Sequence, residues 1–150
     1  MTGLNHAVTG ATVAAAINRP ILALPAALAS HFLVDMIPHW NYKVHGGVKG
    51  RIKVMTVDLF LSLSLLVVLA LTVNAQPWIV FAGGILAISP DIMWLEFFLT
   101  GRPSIKGNPR RLINKVRQFH MWIQWSETSW GIIVEAIWFV LMLSLIYQLN

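Results

Sequence analysis

The run "ALASHFLVDMIPHW", residues 27–40, decides how the chain is read. It is apolar enough for a helix in hydrocarbon, yet His31, Asp35 and His39 interrupt it at four-residue intervals. On a helix, residues four apart share a face, so these ionisable groups form a stripe. A charged side chain at the centre of a bilayer costs at least about 2.5–3.5 kcal/mol. Such a stripe is therefore a functional-site candidate.

The rest of the sequence supports a lipid solvent. Hydrophobic residues make up 57% and charged residues 11%, where soluble domains carry about a quarter charged. The length of 150 residues suits one integral membrane domain, 1–150. There is no Cys, which excludes disulfides and thiolate metal sites. The start, "MTGLNHAVTG", has no basic n-region and no cleavage pattern, and is read as mature chain.

A span needs about 20 apolar residues. Segments 53–74, 78–99 and 130–149 meet that length, and 20–38 just does, with Pro20 as a natural first helical residue. Segment 4–17 is a shorter helix, a short span or a re-entrant one. Gly3, Ala7, Ala11 and Ala15 recur there every four residues, which lets another helix approach closely. Segment 108–126, "NPRRLINKVRQFHMWIQWS", alternates basic and apolar residues and reads as an amphipathic surface helix, with Trp122 and Trp125 at headgroup depth. The expected fold is all-α: a polytopic membrane helix bundle of about five membrane helices plus one amphipathic interfacial helix.

Ten of the eleven basic residues fall in two loops. Lys43, Lys49, Arg51 and Lys53 lie in one, and Arg102, Lys106, Arg110, Arg111, Lys115 and Arg117 in the other; only Arg19 lies elsewhere. With five spans both loops face the same side, which the positive-inside tendency makes cytoplasmic, with the N-terminus. The net charge of +5 is thus topogenic, and no nucleic-acid partner is expected. Anionic lipid headgroups are the expected partners of the basic loops, at about 1 kcal/mol per surface Lys or Arg.

The six acids do not coat a solvated surface. Asp35, Asp58, Asp91, Glu96, Glu127 and Glu135 all sit in, or at the mouth of, apolar helices. In this topology they lie within roughly 12 Å of the inner face at 1.5 Å per residue, the layer that also holds His6, His31 and His120. Several carboxylates in one layer must be protonated, paired or bound to a cation. Lys and Arg are absent from the helix interiors, so a metal ion meets the need. Histidine with carboxylate suits Zn²⁺ first, then Mn²⁺ or Fe²⁺, over Mg²⁺ or Ca²⁺. The candidate ligands are His31, Asp35 and Asp91, with His6, His39, Asp58 and His120 as further members. Glu127 and Glu135 are candidates for general base.

Each residue also has a structural reading. His31 and Asp35 could bond between helices, and Asp58 could be a clamp. His6 could cap or be solvated, and His39 could mark the helix end after Pro38. His120, Gln124 and Glu127 share a face that solvation alone could explain. Glu96 and His45 are read as interfacial, and the tryptophans as interface anchors.

"NHAVTG", "SHFLVDMIPHW" and "SPDIMW" resemble the YdjM-like bacterial inner-membrane metal-dependent hydrolases. His6 and Gly10 match that family's early His-x-x-x-Gly, and Pro90 and Asp91 its Pro-Asp motif. "HFLVD" is similar to the His-x-x-x-Asp of zinc-dependent phospholipase C. The family's His-Arg…Thr-His-Ser stretch is absent, with "FHMWIQWSE" nearest to its place. The resemblance implies a helical inner-membrane protein that hydrolyses a lipid or other phosphoester with a bound metal. The rival readings are a proton- or cation-coupled transporter or channel-like protein, and a structural membrane protein with polar interhelical clamps. P-loop, Rossmann, HEXXH and Gly-x-Ser-x-Gly motifs do not occur.

Overall fold

A computed structural model of the chain describes residues 1–40, 47–95, 99 and 112–149. Glu96, His45, Lys43, Arg102, Lys106, Arg110 and Arg111 lie outside the described residues. The described chain folds as helices only: α1 Gly3–Ile17, α2 Pro20–Asp35, α3 Gly47–Thr72, α4 Pro77–Ile88, α5 Leu112–Ile123 and α6 Gly131–Gln148. Two 3₁₀ turns, Ser89–Trp94 and Gln124–Ser126, continue α4 and α5.

Local chemistry sets the boundaries. Asn18 takes a left-handed conformation (φ 47°) and its N–H closes α1 on the Ala14 carbonyl. Asn is among the few non-glycine residues that tolerate this geometry. Pro20 and Pro77 then open α2 and α4, where a missing N–H costs nothing. Pro90 cannot donate to the preceding turn, and α4 tightens into the 3₁₀ segment that carries Asp91. The helix expected to start at 53 begins at Gly47 and takes in Lys49, Arg51 and Lys53. Such long basic stems can keep their charged heads in water.

Among the described residues, three helices are long and apolar enough to cross a membrane: Gly47–Thr72, Pro77–Trp94 and Gly131–Gln148. Helices α1 and α2 have 15 and 16 residues, about 22–24 Å at 1.5 Å per residue, short of a hydrocarbon core of about 30 Å. The polarity is inside out, as lipid solvation requires. Phe60, Val67 and Leu71 of α3 and Ile137 and Val140 of α6 face outward.

Helix α1 is the axis of the bundle and packs against α2, α3, α4 and α6. Its small residues make this possible. A Cβ on Gly10 would lie 2.5 Å from the Gly83 carbonyl oxygen, and one on Gly83 would lie 2.8 Å from the Gly10 oxygen. The α1 and α4 backbones are therefore in contact, through Gly10 with Gly83. Ala7, Ala11 and Ala15, the four-residue repeat, are buried in a core with Leu66, Leu69, Val80, Met142 and Ile146.

Candidate metal centre

Four elements converge at one end of the bundle. The last turn of α2 supplies His31 and Asp35, α1 supplies His6, the 3₁₀ turn after α4 supplies Asp91, and α5 supplies His120. The Nε2 atoms of His31 and His120 are 3.0 Å apart. Asp35 Oδ2 lies 3.0 Å from His120 Nε2 and 3.3 Å from His31 Nε2, and Asp35 Oδ1 lies 3.1 Å from His6 Nε2. Asp91 closes the cluster at 3.9–4.0 Å from the same three nitrogens. His6, His31, Asp35 and His120 are fully buried, and the Asp91 side chain is 31% exposed, so solvent reaches the cluster past Asp91.

The hydrogen-bond geometry of this cluster suits a cation. His31 Nδ1 donates to the Ala87 carbonyl oxygen at 2.7 Å. In the neutral ring, Nε2 is then a bare lone pair, and it faces a carboxylate oxygen and a second imidazole nitrogen. Lone pairs in such contact need a proton or a metal between them. Fixing one ring nitrogen on a carbonyl is also how proteins aim the other at a metal. Nδ1 of His6 and Nδ1 of His120 have no hydrogen-bond partner among the described residues, and His6 Nε2 faces the Asp35 carboxylate at 3.1 Å. Ligand atoms about 2.0–2.1 Å from one ion lie about 3.0–3.4 Å apart at neighbouring positions, by tetrahedral or octahedral geometry. The short contacts here fall in that range. Among the described residues, two overlapping sets could hold an ion: His31, Asp35 and His120, and His6, His31 and Asp91.

The surroundings hold the cluster in place. Phe32 stands edge-on to His31 and His120, and Trp94 edge-on to His120. Ser126 Oγ lies 3.0 Å from the Asp35 carbonyl and 3.1 Å from that of Ile37, tying the segment after α5 to the end of α2. The Met1 α-amine donates to Asp35 Oδ1 at 2.6 Å.

The other expected site residues are placed differently. His39 Nδ1 donates to the Ile37 carbonyl at 2.8 Å, and burial lowers its pKa. Its backbone pairs with Glu127 and accepts from Thr128 N–H. Glu127 is exposed just beyond the 3₁₀ turn. Asp58 caps α1 from a neighbouring helix, accepting from the N–H groups of Gly3 at 2.7 Å and Leu4 at 3.0 Å. Glu135 accepts from Thr2 N (3.1 Å), Thr2 Oγ1 (2.5 Å), Asn5 Nδ2 (3.0 Å) and Trp40 N (2.9 Å). Three of those donors converge on Oε2, and Trp40 N reaches Oε1. Asp58 and Glu135 line an open groove of about 250 Å³ with Leu4, Ile132 and Phe139. The backbone donors of residues 2–4, the Ala87 carbonyl and Ser126 leave no signature in the sequence. Asn5 precedes His6 directly, but nothing in the sequence pairs it with Glu135.

No family model matches the chain, and no match is found among curated proteins or solved structures.

Proposed function

We propose that this is a membrane-embedded, metal-dependent hydrolase of a lipid or other phosphoester. The observation that carries the reading is the convergence of three imidazole Nε2 atoms on Asp35, with the His31 ring fixed by the Ala87 carbonyl. A divalent ion, Zn²⁺ first and Mn²⁺ or Fe²⁺ as alternatives, supplies Lewis acidity and lowers the pKa of water when bound. His31, Asp35, His120, His6 and Asp91 would hold it. The aromatic wall of Phe32 and Trp94 limits water, and the exposed edge of Asp91 gives the substrate its approach. No step is assigned to Glu135, whose oxygens are engaged, or to Glu127, which is exposed.

Helices α1 and α2 complete the bundle as short membrane helices, which makes five. On this reading the basic residues at the ends of α3 and α5 favour a site at the cytoplasmic face of a bacterial inner membrane, with the N-terminus inside and anionic headgroups nearby. The similarity of "NHAVTG" and "SPDIMW" to YdjM-like proteins favours hydrolysis. A proton or cation pathway is less well supported. It needs polar groups along the whole bundle, and residues 7–17, 20–30, 59–88 and 136–146 contain no ionisable side chain.

The test is hydrolysis of phospholipid vesicles by detergent-purified protein. Activity is expected to vanish on chelation, to return with Zn²⁺ or Mn²⁺, and to be absent from His31→Ala/Asp35→Ala. A folded, metal-loaded wild type that cleaves no phosphoester would overturn the hydrolase reading.

A further inference from the structure

Taken oxygen by oxygen, the contacts of both aspartates divide the same way. Asp35 turns Oδ1 to His6 at 3.1 Å and Oδ2 to His120 and His31 at 3.0 and 3.3 Å. Asp91 turns Oδ2 to His6 at 4.0 Å and Oδ1 to His31 and His120, each at 3.9 Å. Each carboxylate thus presents one oxygen to His6 and the other to the His31–His120 pair.

We propose that the centre is dinuclear. Two divalent cations lie side by side, bridged by Asp35 and Asp91, with His6 on one ion and His31 and His120 on the other. This rests on the metal-dependent reading above.

The ring geometry distinguishes the two sides. His31 and His120 meet at 78° with their Nε2 atoms 3.0 Å apart, as two ligands of one ion do. His6 and His31 instead stack at 25° with centroids 4.0 Å apart. That offset matches the roughly 3.5–4 Å between paired metals, so neighbouring rings can each serve a different ion. A single ion on His31, Asp35 and His120 would leave His6 buried off the ion, with Nδ1 unpartnered and Nε2 against Asp35 Oδ1 at 3.1 Å. Asp35 Oδ1 also accepts from the Met1 α-amine at 2.6 Å, so the ion on the His6 side takes that amine's place on the oxygen.

Charge then points to the ligand class. Two divalent ions against two carboxylates leave a net positive centre. Its solvent-facing side is the 31% exposed Asp91. An anionic ligand is needed to complete it, and a phosphoester oxyanion meets that need with two oxygens, one per ion.

The experiment counts the ions. Wild type, His6→Gln and His120→Gln are stripped with chelator, reloaded with Zn²⁺, freed of excess metal and analysed for Zn per chain, with folding checked by circular dichroism. Wild type is expected to hold two ions, and His6→Gln one. A parallel Mn²⁺ loading is read by electron paramagnetic resonance, where two bridged ions give an exchange-coupled spectrum. One Zn per folded wild-type chain overturns the dinuclear centre and leaves the mononuclear hydrolase standing. No Zn overturns both. Two Mn²⁺ ions per chain with the spectrum of isolated ions overturns the bridging by Asp35 and Asp91. The wild-type count alone decides the stoichiometry if either variant fails to fold.

Discussion

His31 Nδ1 donates to the carbonyl oxygen of Ala87 at 2.7 Å, and that bond commits Nε2 to the cluster of Asp35, Asp91 and His120. The acceptor is available because α4 ends at Ile88 and continues as the Ser89–Trp94 3₁₀ turn. A ring held this way binds metal only when neutral, so protons compete with the ion. Zinc affinity is therefore expected to fall on acidification, approaching about tenfold per pH unit for each proton that must leave a ligand once the pH is below that ligand's pKa. Competition with a chromophoric chelator at several pH values measures it. An affinity that stays flat however far the pH is lowered with the protein still folded would count against imidazole ligation.

The α1–α4 crossing should be the most sensitive packing position. A Cβ on Gly10 meets Ala87 Cβ at 2.4 Å and the Gly83 oxygen at 2.5 Å, so main chain must move. Gly10→Ala is expected to cost about 1–3 kcal/mol through overpacking. It should also weaken metal binding, because the residue it displaces, Ala87, holds His31. At Gly84 the nearest atoms are Leu66 side-chain methyls, and Gly84→Ala should disturb metal binding less. Thermal unfolding in detergent and zinc titration of both variants make the comparison. Equal losses of zinc affinity would separate the crossing from the metal centre.

Asp58 and Glu135 are expected to act on stability and not on metal. Asp58→Ala strips Gly3 N–H and Leu4 N–H of their acceptor, and a donor left unsatisfied costs about 1–3 kcal/mol. Glu135→Ala frees four donors from Thr2, Asn5 and Trp40 and should cost more. Both variants, where folded, should keep wild-type metal content. Metal lost at unchanged melting temperature would return either residue to the ligand set.

These two acids show where the sequence stops being informative. His31 and Asp35 are legible because a helix repeats and four-residue spacing fixes a shared face. Asp91 is legible because Pro90 marks a helix end. His120 stands 85 residues from Asp35, and only the expectation of one common layer linked them. Asp58 and Glu135 looked alike in the sequence: ionisable groups in apolar helices, which must find a partner. Burial demands a partner but does not say which kind. For these two it is the open N-terminus of α1, made of main-chain N–H groups, Thr2 and Asn5. The helix count is hard to read for a related reason. Helices α1 and α2 are apolar enough for lipid but short, and α1 is wrapped by α2, α3, α4 and α6, so protein supplies much of its apolar surroundings.

Helix α5 is expected to lie on the membrane surface with His120 turned beneath it. Its outward side carries Leu112, Phe119, Met121 and Trp122, and Trp125 follows in the 3₁₀ turn, all exposed, while His120 and Ile123 are buried. An apolar outer face next to basic Lys115 and Arg117 suits the boundary between headgroups and acyl chains. The chain has no Cys, so single labels can be placed without background. A nitroxide at Trp122→Cys in vesicles should collide with both oxygen and a water-soluble nickel chelate, the pattern of a shallow site. One at Val67→Cys, outward on α3, should collide with oxygen alone. A Trp122→Cys label as inaccessible to nickel as Val67→Cys would make α5 a buried helix. A label relaxed by nickel alone would lift α5 off the bilayer, and His120 would then reach the metal from water.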